Sequence, residues 1–131
     1  MGLDQNAYSV SRHEAHLLDS QEYKDGDLAI ESEESLMYWR KHANLEGYMA
    51  DLALEKGVVK DGQDFNCEKV WLTEEDLLKL QAKVKGDGLD TATGFFWGSS
   101  TEEDEASTML FIEKALDAIK DGKAVYYTSW W

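Results

Sequence analysis

The chain has 131 residues, with 27 Asp and Glu against 13 Lys and Arg, for a formal net charge of −14. That length fits one domain, and 43% hydrophobic residues, with five Trp, six Tyr and four Phe among the aromatics, can bury a core, so the acidity does not mean disorder. Phosphate contacts need clustered Lys and Arg, which excludes ordinary nucleic-acid or anionic-membrane binding, and a single Cys67 excludes an internal disulfide or a multi-cysteine zinc site.

In chain order, Leu3 to Val10 predicts a first strand. Ser11 can cap a short helix to Leu18, in which Ala15 and Leu18 share a face. The Asp25-Gly26 pair marks a turn, with Leu28 to Ile30 as a short edge strand. Leu36 to Arg40 is aromatic-rich and reads as a strand or the start of the next helix. Leu45, Tyr48, Met49 and Leu52 recur at i, i+3, i+4 and i+7, predicting an amphipathic helix that stops near Gly57. After a polar loop at 61–64, Glu68 to Leu72 alternates like a half-buried strand. Thr73 caps a helix with Leu77, Leu80 and Val84 on one face, ended by Gly86 and Gly88. Gly94-Phe95-Phe96-Trp97-Gly98 predicts a short apolar strand. Thr101 caps a third long helix with Met109, Ile112, Leu116 and Ile119 as its core stripe, closed by Gly122, and Val125 to Trp130 forms the last strand. No repeat, linker or low-complexity segment interrupts this order. The expected fold is a single α+β domain over residues 1–131, a mainly antiparallel sheet of about four or five strands against about three helices.

Most catalytic signatures are missing. His13-Glu14-Ala15-His16 has its second histidine at i+3, not the i+4 of a zinc-protease helix, and reads as two solvent-facing histidines. Gly86-Asp87-Gly88 is a helix stop, not a dinucleotide fingerprint. No phosphate loop or nucleophile elbow occurs, and the Asp-rich turns lack the ligand alternation of a calcium loop. Cys67 would need His42 beside it to act as a nucleophile, and reads as buried or inert. No metal or cofactor is implied.

The strongest constellation is aromatic. Tyr38-Trp39-Arg40-Lys41-His42, the Phe95 to Ser100 segment and the ending Tyr126-Tyr127-Thr128-Ser129-Trp130-Trp131 combine rings with Arg and small hydroxyls. Together they suggest a ligand pocket lined by Trp39, Arg40, Asn44, Glu46, Phe96, Trp97, Ser99 and Trp130. The plainer alternative is that these rings are core and Arg40 pairs with a carboxylate.

Met1-Gly2-Leu3-Asp4, the Tyr38 to Met49 segment, Asp64-Phe65-Asn66-Cys67, Gly94 to Gly98 and the Tyr126 to Trp131 ending are similar to a family of small uncharacterised bacteriophage and bacterial proteins. The resemblance spans most of the chain from Leu36 onward. Relatives usually carry proline where Ala43 stands and histidine where Glu46 stands. The resemblance brings no established activity and implies a phage-type accessory protein.

Charge placement suggests how such a protein acts. Seven acids and one Lys lie between Asp19 and Glu34, and Glu102 to Glu105 add four acids, so most of the excess charge sits in two short segments. The second suits a helix start. The first, through Asp25, Asp27, Glu31, Glu33 and Glu34, is the candidate acidic face for a basic host protein. The expected function is therefore non-enzymatic binding or inhibition of a host protein in the cytoplasm, without direct nucleic-acid or membrane contact. A small-ligand binder or weak enzyme is the alternative, and the Trp130-Trp131 end is a candidate homo-oligomer contact.

Overall fold

A computed structural model describes residues 2–18, 32–60, 62–94 and 97–131, the side chains of Leu17 and Leu18 excepted. The elements are β1 (Asp4–Ser11), α1 (Arg12–Leu18), β2 (Glu34–Arg40), α2 (Ala43–Glu55), β3 (Lys69–Leu72), α3 (Glu74–Lys85), α4 (Glu102–Lys120) and β4 (Lys123–Trp130). The strands form one sheet in the order β2-β1-β4-β3, antiparallel at every pairing. The first and last strands run side by side through its centre, from Asp4 opposite Trp130 to Ser11 opposite Lys123. Every element between them must therefore fold back onto this pair. The result is the expected single α+β domain.

Alternation sorts the strand residues between two faces. Gln5, Ala7, Trp39, Val70, Leu72, Val125, Tyr127 and Ser129 are buried on the face that α2, α3 and α4 cover. There Trp39 meets Phe111 edge-on at 5.3 Å between ring centres, and Tyr127 stacks on Phe65 at 6.1 Å. The opposite face carries Tyr8, Tyr126 and Trp71, whose rings lie 5.3 and 5.1 Å apart in sequence across the strands, and the exposed Tyr38 and Trp130.

Local chemistry sets the helix starts. Thr73 and Thr101 each accept the backbone N–H three residues on, and Asp76 and Asp104 each accept the capping threonine's own N–H, so both helices begin with a complete capping box. Ser11 Oγ accepts Glu14 N–H at 3.2 Å at the start of α1. α2 differs. Its N-cap His42 makes no side-chain cap bond, and Ser100 Oγ supplies one from a distant loop by accepting Asn44 N–H at 2.9 Å.

The structure revises three expectations. The α4 core stripe is Thr108, Phe111, Ile112, Ala115 and Ala118, while Met109, Leu116 and Ile119 are only partly buried. Small Ala115 and Ala118 let the helix axis approach the sheet, and the larger side chains flank that contact line. Gly94, Trp97 and Gly98 belong to no strand, and Trp97 N–H bonds to Gly94 O at 3.1 Å, while Phe95 and Phe96 lie outside the described residues. The Trp97 ring lies over Gly94, where an added Cβ would fall 2.4 Å from it, so this close approach needs glycine. Cys67 is exposed, not buried, with φ of 66°. The anticipated turn and strand at 24–30 lie outside the described residues.

Candidate functional site

The N-terminal end of α2 gathers most of the buried polar groups among the described residues. His42 and Glu46, one helical turn apart, are both fully buried, as are Gln5 and Thr108. Tyr127 O–H donates to Glu46 Oε1 at 2.6 Å, and Ser129 O–H donates to Oε2 at 2.8 Å. Gln5 Nε2 donates to the Tyr127 oxygen at 2.8 Å and to His42 O at 3.0 Å, while Gln5 Oε1 accepts His42 N–H at 2.8 Å. Burial pushes the Glu46 carboxyl up to about 7, against the two hydroxyl donors that favour its charged form. Tyr127 is held well above its ordinary value by burial and by the adjacent carboxylate.

The hydrogen bonds of His42 define its tautomer. Thr108 donates its hydroxyl proton to Asp104 O at 2.9 Å, so its oxygen accepts from His42 Nε2–H, also at 2.9 Å. Nδ1 then accepts from Ser100 O–H at 2.7 Å. Burial lowers the imidazole to about 4, with Asp104 opposing weakly, so His42 is neutral at pH 7. The Ser100 hydroxyl is thus committed twice, accepting from Asn44 N–H and donating to His42. The pair ties the α4 start to the α2 start and serves the architecture.

Above this polar core lies a groove between α2, the loop residues 90–93 and Trp97. Asn44 Oδ1 accepts Ala92 N–H at 3.0 Å and pins the loop to the helix. Gly47 makes that approach possible, because a Cβ there would fall 2.5 Å from Ala92 Cβ. The resulting cavity of about 330 Å³ is walled by Tyr48 and Trp97, with Asp51 and Asp90 on its rim. It adjoins a second hollow of about 220 Å³ that shares Tyr48, Asp51 and Asp90 and adds Glu55 and Lys83. Lys83 Nζ reaches Asp90 Oδ1 at 3.2 Å.

The eight residues expected to line one pocket do not share one opening. Asn44 and Trp97 meet in this groove. Trp39 is locked in the core between Phe111 and Tyr127, and Glu46 lies beneath the sheet. Arg40 and Trp130 are exposed on the far face of the sheet, where both stand opposite Asp4 in register. Ser99 is exposed, and Phe96 lies outside the described residues. Of the candidate acidic face, Asp25, Asp27 and Glu31 also lie outside them. Glu33 accepts from Tyr126 O–H at 2.7 Å, and Glu34 lies 3.9 Å from Lys123 Nζ. His13 and His16 are exposed as expected. Trp131 is half-buried: its backbone makes paired hydrogen bonds with the Asn66 amide and its ring packs on Trp97 at 5.4 Å.

Sequence reasoning missed Gln5, His42, Thr108, Ser129 and Tyr127 as one network, and missed Tyr48, Asp51 and Asp90 as groove walls. The helical spacing of Asn44, Tyr48, Asp51 and Glu55 was the available signal for the latter. No group of three or more His, Cys, Asp or Glu suited to a metal ion occurs among the described residues, and no helix among them is long and apolar enough to cross a membrane. Comparison with protein-family models, curated proteins and solved structures returned no match. The fold and site define a small acidic α+β protein with a buried hydrogen-bonded network of Gln5, Glu46, Tyr127 and Ser129 and a largely charged exterior.

Proposed function

We propose that this protein is a phage-type accessory protein that binds a basic host protein and acts by occupying its surface, without chemistry of its own. One observation carries the reading: exposed acids outnumber exposed lysines on the outward sides of α2 and α4, with Asp51 and Glu55 on α2 and Glu102, Glu103, Glu113 and Asp117 against Lys114 and Lys120 on α4, while on α3 Glu74 and Glu75 are balanced by Lys79 and Lys85. A net excess of one sign on one side of a molecule steers association with a surface of the opposite sign, and this steering weakens with salt. The internal hydrogen bonding of Ser100, His42 and Glu46 argues in the same direction, since the groups best suited to catalysis are turned inward.

Binding the purified chain to resin and capturing proteins from bacterial lysate tests this. At low salt the captured set should be enriched in basic proteins that elute as salt is raised. Failure to recover any basic protein at low salt overturns the reading. Reversing Glu102 and Glu103 to Lys should weaken capture, as should reversing Glu31, Glu33 and Glu34.

A further inference from the structure

The groove between α2, residues 90–93 and Trp97 is one place where the acidic surface becomes concave. Its floor and walls combine two rings, Tyr48 and Trp97, with the carboxylates of Asp51 and Asp90. Aromatic faces attract cations through the ring quadrupole, and adjacent carboxylates accept their N–H groups. A cation already stands beside it, in the adjoining hollow that shares Tyr48, Asp51 and Asp90. Lys83 reaches in from α3 and places its ammonium 3.2 Å from Asp90 Oδ1, its side chain largely covered while that of Asp90 is 91% exposed. Its charge bears on Tyr48 together with those of Glu55, Asp76 and Lys79. A single lysine ammonium, a compact charge with no planar surface, leaves the opening beside Tyr48 and Trp97 unfilled.

We propose that this groove receives an arginine side chain from the basic partner, whose guanidinium takes the Asp90 carboxylate from Lys83 and reaches Asp51, with Tyr48 and Trp97 flanking it. Arginine fits better than lysine because the planar guanidinium offers both a face for the rings and a fork of donors for a carboxylate. Its apolar stem suits a cavity of about 330 Å³, at the small end of ligand sites. Lys83 then acts as an internal occupant that the incoming arginine displaces. The inference rests on the basic-partner reading and adds where, and by which side chain, the partner is held.

The experiment is a calorimetric titration with a hexa-arginine peptide, and with its citrulline counterpart, at low salt. Three comparisons separate the groove from the general charge. Asp51→Asn with Asp90→Asn should weaken hexa-arginine binding at least about tenfold, the loss expected for hydrogen bonds to a charged group, while Glu102→Gln with Glu103→Gln, an equal change in charge on α4, should weaken it far less. Lys83→Met should strengthen binding severalfold, while Lys114→Met on exposed α4 should leave it nearly unchanged. The citrulline peptide should not bind. Equal weakening by the two acid pairs, or equal effects of the two lysine variants, overturns the groove while leaving the basic-partner reading standing. Absence of hexa-arginine binding by the unmodified protein overturns both. Near-ultraviolet circular dichroism of each variant confirms that the Trp97 and Tyr48 surroundings are intact before the affinities are compared.

Discussion

Two buried titratable groups sit one turn apart on α2 and oppose each other in acid. Glu46, raised from 4.5 to about 7, takes up a proton in the folded state more readily than in the unfolded state, so its contribution is fully present below pH 4.5 and is lost as pH rises to about 7. His42, lowered from 6.5 to about 4, does the reverse: its contribution is present above pH 6.5 and is lost as pH falls towards 4. Each shift corresponds to roughly 3 kcal/mol across nearly the same window, so the two slopes largely cancel in the native protein. Single substitutions should expose them. Glu46→Gln leaves the His42 slope, so denaturant midpoints should rise between pH 4.5 and 6.5. His42→Asn leaves the Glu46 slope, and the midpoints should fall over that range. Parallel pH profiles for the two variants would contradict this account.

Among the elements, α2 depends most on what other segments bring to it. A glycine inside an exposed helix normally costs roughly 1 kcal/mol relative to alanine, so replacement usually stabilises. At Gly47 the sign should reverse, because the new methyl falls 2.5 Å from Ala92 Cβ and must push the loop away. Thermal unfolding should show Gly47→Ala lowered, and the double variant with Ala92→Gly recovering most of the loss, a coupling that independent sites would not show. α4 starts by local means instead. Thr101→Ala removes the acceptor for Asp104 N–H and should cost about 1 kcal/mol in chemical denaturation. That box was legible from the Thr101-to-Asp104 spacing alone. The trans-acting cap of α2 was not, since Ser100 and Asn44 are 56 residues apart and only the folded loop brings them together.

For the whole molecule, charge and aromatic packing set the behaviour. A net charge of −14 on one domain repels itself, so moderate salt should raise the melting temperature even as it weakens partner capture. The C-terminal tryptophans divide their roles. Trp131 packs on Trp97 and pairs with Asn66, whereas Trp130 is 63% exposed on the far sheet face, which also carries exposed Tyr38. A test of self-association therefore uses Trp130→Ser, which spares the Trp131 contacts. If the exposed ring mediates association, sedimentation should show a larger species for the native chain and a smaller one for the variant. A single unchanged species in both would remove that role.

Fold class, the strands at either end of the chain, the two capping boxes and the positions of the helices follow from local chemistry: hydrophobic period, capping pairs and turn residues act within a few positions of each other. Which face of α4 is buried, that Trp39 is core while Trp130 is bare, and that Glu46 lies under the sheet in a hydrogen-bonded network depend on partners far apart in the chain. Gln5 meets Tyr127 across 122 residues, and Tyr127 meets Glu46 across 81. A carboxylate within a helical stripe of Leu45 and Met49 reads as solvent-facing by its chemistry, because burying a charge is costly. Only the folded sheet, by bringing Tyr127 and Ser129 to it, makes that burial tolerable.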